Sequence, residues 1–223
     1  MKNAFTLAEV LITLGIIGVV AALTMPSLIV KYEKQRTLTQ LKKAYSEIAQ
    51  AVKLSEIEYG NPVDWEYGTA FNGSSAQNFM NTYLVPHLNV VKNCGTATGC
   101  LPGDVYSLTG SKNPIYGDTA VDTARVMVNS GYTIGVTSGG EYVNLQITLN
   151  NHKDKLVMGK DIFFFVIYKG KGLVPHGYGN TREEIIEHST MGCSKKINTG
   201  GAGMHCTGLI VADSWQITSE YPW

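Results

Sequence analysis

One acidic side chain, Glu9, stands directly before the longest apolar stretch of the sequence, Val10 to Val30. At 1.5 Å per helical residue, the 21 residues of this stretch reach about 31 Å, the thickness of the hydrocarbon core of a bilayer. A carboxylate at the edge of a membrane segment is costly unless a positive charge neutralises it. The sequence therefore predicts that Glu9 has a cationic partner at the same membrane depth.

The start of the chain resembles the type IV pilin and type II secretion pseudopilin family. The resemblance is carried by Ala4, the residues Phe5 to Glu9 (FTLAE), and the apolar run with Pro26. In that family a prepilin peptidase removes a short leader before the aromatic residue, and the new amine is methylated. The resemblance thus implies a leader of residues 1–4, cleavage between Ala4 and Phe5, and an assembly role for Glu9. Alanine replaces the usual glycine before the cut, but it is also small, so we expect cleavage.

Leader removal would supply the cation that Glu9 requires. It places a free amine on Phe5, four residues and about one helical turn from Glu9. In stacked helices, Glu9 of one subunit would pair with the Phe5 amine of the next. The alternative is a purely local role, because an acidic residue near a helix start interacts favourably with the helix dipole.

The same segment also has features of an ordinary secretory signal peptide. Val20-Ala21-Ala22 is a small-x-small cleavage site after an apolar stretch. Against this interpretation, Glu9 interrupts the start, the apolar run continues past Ala22, and Lys2 is the only charged side chain of the leader. The two interpretations predict different mature termini, Phe5 for a pilin and Leu23 for a signal peptide.

The helix is expected to continue beyond the apolar run. Apolar residues at intervals of three and four form a stripe, namely Leu38, Leu41, Tyr45, Ile48 and Val52. This stripe predicts an amphipathic segment, residues 31–59, that packs under a globular domain of residues 60–223. Residues 5–30 would form the membrane-spanning or filament-core half. Pro26 is either a point where this half kinks or melts on entering a filament, or a proline that a membrane helix tolerates.

From Ala124 onward, apolar residues recur at every second position, which is the spacing of a β-strand with one buried face. Four strands are predicted at 124–128, 132–136, 142–149 and 161–168, joined by Gly-rich turns. An antiparallel sheet of this kind can bury one face on the helix stripe. The predicted fold class is therefore α+β, a long N-terminal helix against an antiparallel sheet, and the resemblance implies the same pilin-like arrangement.

Shorter elements are predicted around the sheet. Ser74-Ser75 would cap a helix from Ala76 to Val85 that Pro86 closes, and residues 102–123 would be an irregular loop. The capping-box pattern Thr181 to Glu184 opens a helix to His188, and residues 209–212 belong to another. The late aromatics Trp215, Tyr221 and Trp223 are expected to pack onto the sheet.

Four cysteines suit a disulfide framework in an exported domain. We favour Cys94–Cys100 and Cys193–Cys206 because each pair closes a short Gly-containing loop, although three connectivities exist. Zinc binding is the alternative, since His205 neighbours Cys206, but no Cys-x-x-Cys pair occurs.

A polar loop at residues 150–161 resembles the calcium loop of some major pseudopilins. Its candidate oxygen ligands are Asp154 and Asp161, but lysines at 153, 155 and 160 intervene. A β-turn that uses Asn and Asp for local hydrogen bonds is favoured instead. No cofactor is expected.

Enzymatic and nucleic-acid functions are not predicted. The five histidines fall in no metal or triad motif, and the formal net charge is zero. The resemblance implies a structural filament subunit, stored in the bacterial cytoplasmic membrane and then assembled outside it. Its partners would be copies of itself or related pilins, the prepilin peptidase, an inner-membrane assembly platform and membrane lipid. The alternative is a membrane-anchored or signal-exported binding protein or enzyme that forms no filament.

Overall fold

The computed structural model describes residues 6–150 and 152–223, so the predicted cleavage residues Ala4 and Phe5 lie outside the described residues. The chain divides into two compact units, residues 1–37 and residues 38–223. One continuous helix, α1 (Leu7–Tyr59), contributes to both. It ends where the sequence predicts, because Gly60 adopts a φ of 80° and its N–H donates to the carbonyl of Glu56.

The predicted apolar stripe of α1 is buried in the second unit. Leu41, Ile48 and Val52 are at most 1 % exposed, and they share one hydrophobic core with the inner faces of the strands. The ring of Tyr45 stacks on that of Phe165 with a centroid distance of 5.3 Å. The predicted α+β fold class is therefore confirmed, with a long N-terminal helix packed against an antiparallel sheet.

The described residues that follow α1 form eight strands. They are β1 (Val90–Gly95), β2 (Asp104–Tyr106), β3 (Thr123–Val128), β4 (Thr133–Ser138), β5 (Tyr142–Thr148), β6 (Lys155–Val157), β7 (Ile162–Tyr168) and β8 (Gly172–Pro175). Six of them form an antiparallel sheet in the order β1-β3-β4-β5-β7-β8, while β2 pairs with β6 in parallel. The four predicted strands are β3, β4, β5 and β7. The sequence analysis missed the edges β1 and β8, which are irregular or short.

Both faces of the sheet are covered. On β7, Phe163 and Phe165 belong to the core under α1, whereas Phe164 belongs to a second cluster with Val105 and Tyr116. Burial on both faces explains why this strand is an unbroken apolar run rather than an alternating one. The prediction that residues 102–123 form an irregular surface loop is therefore confirmed only in part. Most of the segment is irregular, but it contains β2, and buried side chains such as Val105 and Tyr116 pack on the face of the sheet that points away from α1. A three-residue strand is too short to show a period.

The helix predicted at residues 76–85 has different limits. Helix α2 (Gly73–Phe79) begins earlier, because the side chain of Asn72 accepts a hydrogen bond of 2.9 Å from the Ser75 N–H. A π-turn at Met80–Leu84 and a 3₁₀ turn at Val85–His87 then carry the chain past Pro86. Proline is tolerated there because the first residues of a helical turn need no N–H donor.

The C-terminal helices agree with the sequence analysis. The capping box of Thr181 and Glu184 opens α3 (Arg182–Glu187), and α4 (Cys206–Ala212) includes the predicted residues 209–212. Trp215 packs against the core, and its ring lies 5.2 Å from that of Tyr45.

A buried cation, Arg125, holds part of the segment of residues 102–123, which we call the outer cover of the sheet. Arg125 on β3 is fully buried, and its guanidinium donates to the carbonyls of Gly117, Ala120 and Thr123, the latter two at 3.1 Å. Burial lowers the pKa of Arg125 to about 10, which still leaves the side chain charged at neutral pH. The segment before β3 is thus held by hydrogen bonds from one side chain.

Replacing Arg125 by methionine is expected to lower the free energy of unfolding by about 3 kcal/mol, because three carbonyls lose their charged donor. Chemical denaturation followed by circular dichroism measures the loss. The exposed Lys196→Met variant is the control and should change stability by less than about 0.5 kcal/mol. A loss below about 1 kcal/mol for Arg125→Met would show that the segment does not depend on this side chain.

Candidate functional site

The first turn of α1 brings Glu9 and Thr6 together. The Thr6 backbone N–H and hydroxyl donate to Glu9 Oε2 at 2.8 and 2.9 Å, and the Glu9 N–H donates to Thr6 Oγ1 at 3.2 Å. This reciprocal pattern is a capping box, and it satisfies N–H groups that have no partner inside the helix. The Glu9 carboxylate therefore caps the first turn of its own helix. Its predicted partner, the Phe5 amine, lies outside the described residues.

The first half of α1 is apolar on all sides and exposed. Leu7, Leu23 and Leu28 are 79, 76 and 65 % exposed, and no single face of this half carries the apolar residues alone. Each such side chain gains about 1.5–3 kcal/mol when it is removed from water. A helix of this composition therefore requires a cover of lipid or of other apolar helices. Among the described residues, α1 alone is long and apolar enough to cross a membrane, which fits a membrane anchor and also a signal sequence.

The few polar side chains in this half bond to their own helix. The hydroxyls of Thr13, Thr24 and Ser27 donate to the carbonyls of Glu9, Val20 and Thr24, each at 2.9 Å. Such internal bonds remove the cost of placing a hydroxyl in an apolar medium. These residues are therefore compatible with lipid or with a helix bundle.

Two glycines and a proline interrupt the same half. At Gly15 and Gly18 an added Cβ would meet no atom within 4 Å, so the fold of the single chain does not require glycine at either position. Small residues on an apolar helix let a second helix approach closely. The helix continues through Pro26, and a proline at this position removes one backbone hydrogen bond.

The structure contains the two favoured disulfides, Cys94–Cys100 and Cys193–Cys206. No cysteine in the described part of the chain is free, so the zinc alternative loses its thiolate ligands. The second disulfide joins the segment after α3 to the first residue of α4, and both of its cysteines are buried. It therefore ties the C-terminal region to the core.

The polar loop before β7 uses its acidic side chains locally. Asp161 is buried, and its carboxylate accepts from the Asn150 side chain and Lys153 Nζ at 2.7 Å and from the Val157 N–H at 3.0 Å. Asp154 is exposed. Across residues 6–150 and 152–223, no three His, Cys, Asp or Glu side chains are placed to hold a metal ion. The Asp161 carboxylate therefore joins the two ends of the loop and is in contact with a lysine ammonium.

Three histidines meet although their spacing in the sequence forms no motif. The ring of His205 lies 4.6 Å from that of His188 and 5.0 Å from that of His176. Burial is the main cause that lowers the pKa of His176 to about 3 and that of His205 to about 4, so both are neutral at pH 7. All three line a cavity of about 630 Å³. Sequence reasoning missed this cluster because it depends on the paths of two loops.

A cavity lined by histidines with shifted pKa values is a candidate active site. The described residues that line this cavity include no Ser, Thr, Cys, Asp, Glu or Lys. The Thr190 hydroxyl lies 3.4 Å from His188 Nδ1 but does not line the cavity. The lining therefore offers hydrogen-bonding side chains and aromatic rings, which are the features of a binding site.

Comparison with known proteins adds one similarity. Residues 27–107 match a family of unknown function (DUF6613). The match begins within α1, just after Pro26, and ends just after β2. No curated protein and no solved structure matches the chain significantly. The similarity therefore covers the amphipathic part of α1 and the region that follows it, and it carries no statement of function.

Proposed function

We propose that this chain is a structural subunit of a helical extracytoplasmic filament, either a pilin or a secretion pseudopilin. The observation that carries the proposal is the all-round apolar half of α1, which begins with Thr6 and Glu9 and continues into the helix that supports the sheet. A simple membrane anchor needs only the apolar length. A filament subunit also needs an ionisable group at its start and small residues where helices meet.

The proposed mechanism begins with membrane storage and removal of residues 1–4. Moving the helix from lipid into a bundle of like helices gains little hydrophobic free energy, because both surroundings are apolar. Close packing at Gly15 and Gly18 and neutralisation of Glu9 must therefore drive assembly. The Phe5 amine of a neighbouring subunit supplies the neutralising charge. Each subunit contacts the next through a different surface, and in this proposal the rotation between neighbours does not close a ring, so the assembly grows as a helical filament.

In this proposal the partners are copies of the chain or related subunits, the prepilin peptidase, an inner-membrane platform and lipid. The subunit is not an enzyme and needs no cofactor. It is held in the bacterial cytoplasmic membrane by α1 before assembly. The competing function is a membrane-held binding protein that forms no filament, and the cavity beside His176 and His205 is the observation that favours it.

Terminal analysis of the mature protein tests the proposal. The full-length gene is expressed with a prepilin peptidase, and sheared surface material and membranes are analysed separately by mass spectrometry. We expect N-methylated Phe5 as the first residue in both fractions, and assembled protein in the sheared one. The Ala4→Arg variant is the control and should remain uncleaved in the membrane. A first residue of Met1 or Leu23 in the unmodified protein contradicts the proposal.

A further inference from the structure

The cavity of about 630 Å³ lies on the face of the sheet that points away from α1. Its floor includes Tyr142 and Asn144 of β5, which alternate with Val143 and Leu145 of the core under α1. The loops around His176 and His205 form its walls. The cavity is therefore built by the globular unit alone and is independent of the apolar half of α1.

Three side chains that line this cavity each carry a buried polar atom that has no hydrogen-bond partner among the described residues. These atoms are Asn144 Oδ1, His176 Nδ1 and His205 Nδ1, on side chains that are 8, 9 and 3 % exposed. A buried polar group without a partner destabilises the fold, so apolar side chains would be more stable at these positions. The convergence of the three polar side chains on one cavity indicates a ligand that offers several hydrogen bonds.

The aromatic side chains of the cavity favour a ligand that also has an apolar surface to pack against them. The rings of Tyr142 and Tyr168 lie 5.5 Å apart at one end, and Tyr178 and Phe71 are 54 and 55 % exposed at the rim. Exposed aromatic rings that surround a concave site are a common feature of ligand recognition. The ligand must therefore combine a flat apolar face with an edge of donors and acceptors.

The cavity also selects against charge. Of the described residues that line it, none is Asp, Glu, Lys or Arg, so the lining supplies no counter-ion to an ionic group inside. The ammonium of Lys171 lies outside the lining, 5.4 Å from the centre of the Tyr178 ring at the rim. Outside the cavity, Glu183, Glu184 and Glu187 line an adjoining depression that shares Asn180 and His188 with it. Their carboxylates repel anions near the entrance.

We propose that this cavity binds a neutral saccharide unit. Sugar hydroxyls both donate and accept, so they suit a lining that contains the amide of Asn144 and the imidazoles of His176 and His205 in either tautomer. The C–H face of a pyranose ring supplies the apolar surface that Tyr142, Tyr168 and Tyr178 require. The volume is within the range of small-molecule sites. This binding activity goes beyond filament formation and does not depend on it.

The test uses the full chain in phosphatidylcholine nanodiscs, because detergents with sugar headgroups would compete. An array presents neutral hexose and N-acetylhexosamine oligosaccharides, their sialylated and sulfated counterparts, nucleosides, short peptides and choline. Titration calorimetry then measures each ligand that binds. We expect a neutral saccharide to bind at least tenfold more tightly than its charged counterparts.

Two tyrosine variants separate the cavity from the rest of the surface. Tyr178→Ala removes an exposed rim ring and should weaken saccharide binding at least tenfold with no change in the melting temperature. Tyr59→Ala removes a ring that is 40 % exposed at the end of α1 and should leave binding unchanged. The proposal is overturned if no neutral saccharide binds at up to about 10 mM, if charged or non-sugar probes bind more tightly, or if Tyr178→Ala binds as tightly as the unmodified protein.

Discussion

Replacing Glu9 by alanine is expected to reduce filament yield by about 100-fold or more while leaving membrane insertion intact. The physical reason is the unpaired charge that remains. Without the carboxylate, each Phe5 amine enters the filament core without a counter-ion. Removing one partner of a buried ion pair costs about 3–5 kcal/mol, and every 1.4 kcal/mol lowers the assembly equilibrium constant about tenfold. Quantitative immunoblots of sheared filaments and of membranes measure both quantities.

The capping box at the start of α1 provides a matched control for this prediction. Thr6→Ala removes both side-chain bonds between Thr6 and Glu9 but keeps the carboxylate. Loss of such a cap costs about 1 kcal/mol of helix stability, so filament yield should fall by no more than about fivefold. If Glu9 serves only its own helix, Thr6→Ala and Glu9→Ala will reduce the yield equally, and pairing between subunits is then excluded.

Removal of the Cys193–Cys206 disulfide is expected to have the largest effect on the stability of the globular unit. The two cysteines are 13 residues apart in sequence, and a loop of this size contributes about 3 kcal/mol through the entropy of the unfolded chain. Both sulfurs are buried, so the paired Cys193→Ala and Cys206→Ala substitutions also lose core contacts. We expect the melting temperature to fall by about 6–12 °C in a domain of this size.

The disulfide that closes the shorter loop provides the comparison for this loss of stability. Cys94 and Cys100 are six residues apart, and the same relation gives about 2.4 kcal/mol for their loop. Cys94 is only half-buried, so the paired Cys94→Ala and Cys100→Ala substitutions should lower the melting temperature less. Scanning calorimetry of both double variants shows which of them has the lower melting temperature. A larger loss at Cys94–Cys100 would show that the C-terminal region is held mainly by its apolar contacts and by the Arg182 ion pairs to Asp213 and Glu220.

Elements with a repeated local signal were predictable. The stripe from Leu38 to Val52 follows one helical face, and the four long strands have turns with glycine between them, so each signal lies within a few neighbouring residues. The predicted capping box of Thr181 is equally local, whereas that of Thr6 was not predicted from the sequence. Elements with weak signals were missed or misplaced, as at β1, β8, and the turns of residues 80–87, because sheet pairing and packing stabilise them.

The sequence by itself determined an apolar helix with an acid at its start, the strand and helix pattern behind it, and two short disulfide loops. Only the tertiary structure decided that Asn144, His176 and His205 share one cavity and that Arg125 holds the outer cover. The physical reason is the separation along the chain over which each interaction acts. Periodicity, capping and short loop closure act between near neighbours in the chain, whereas a cavity depends on strand register and loop paths that bring distant residues together.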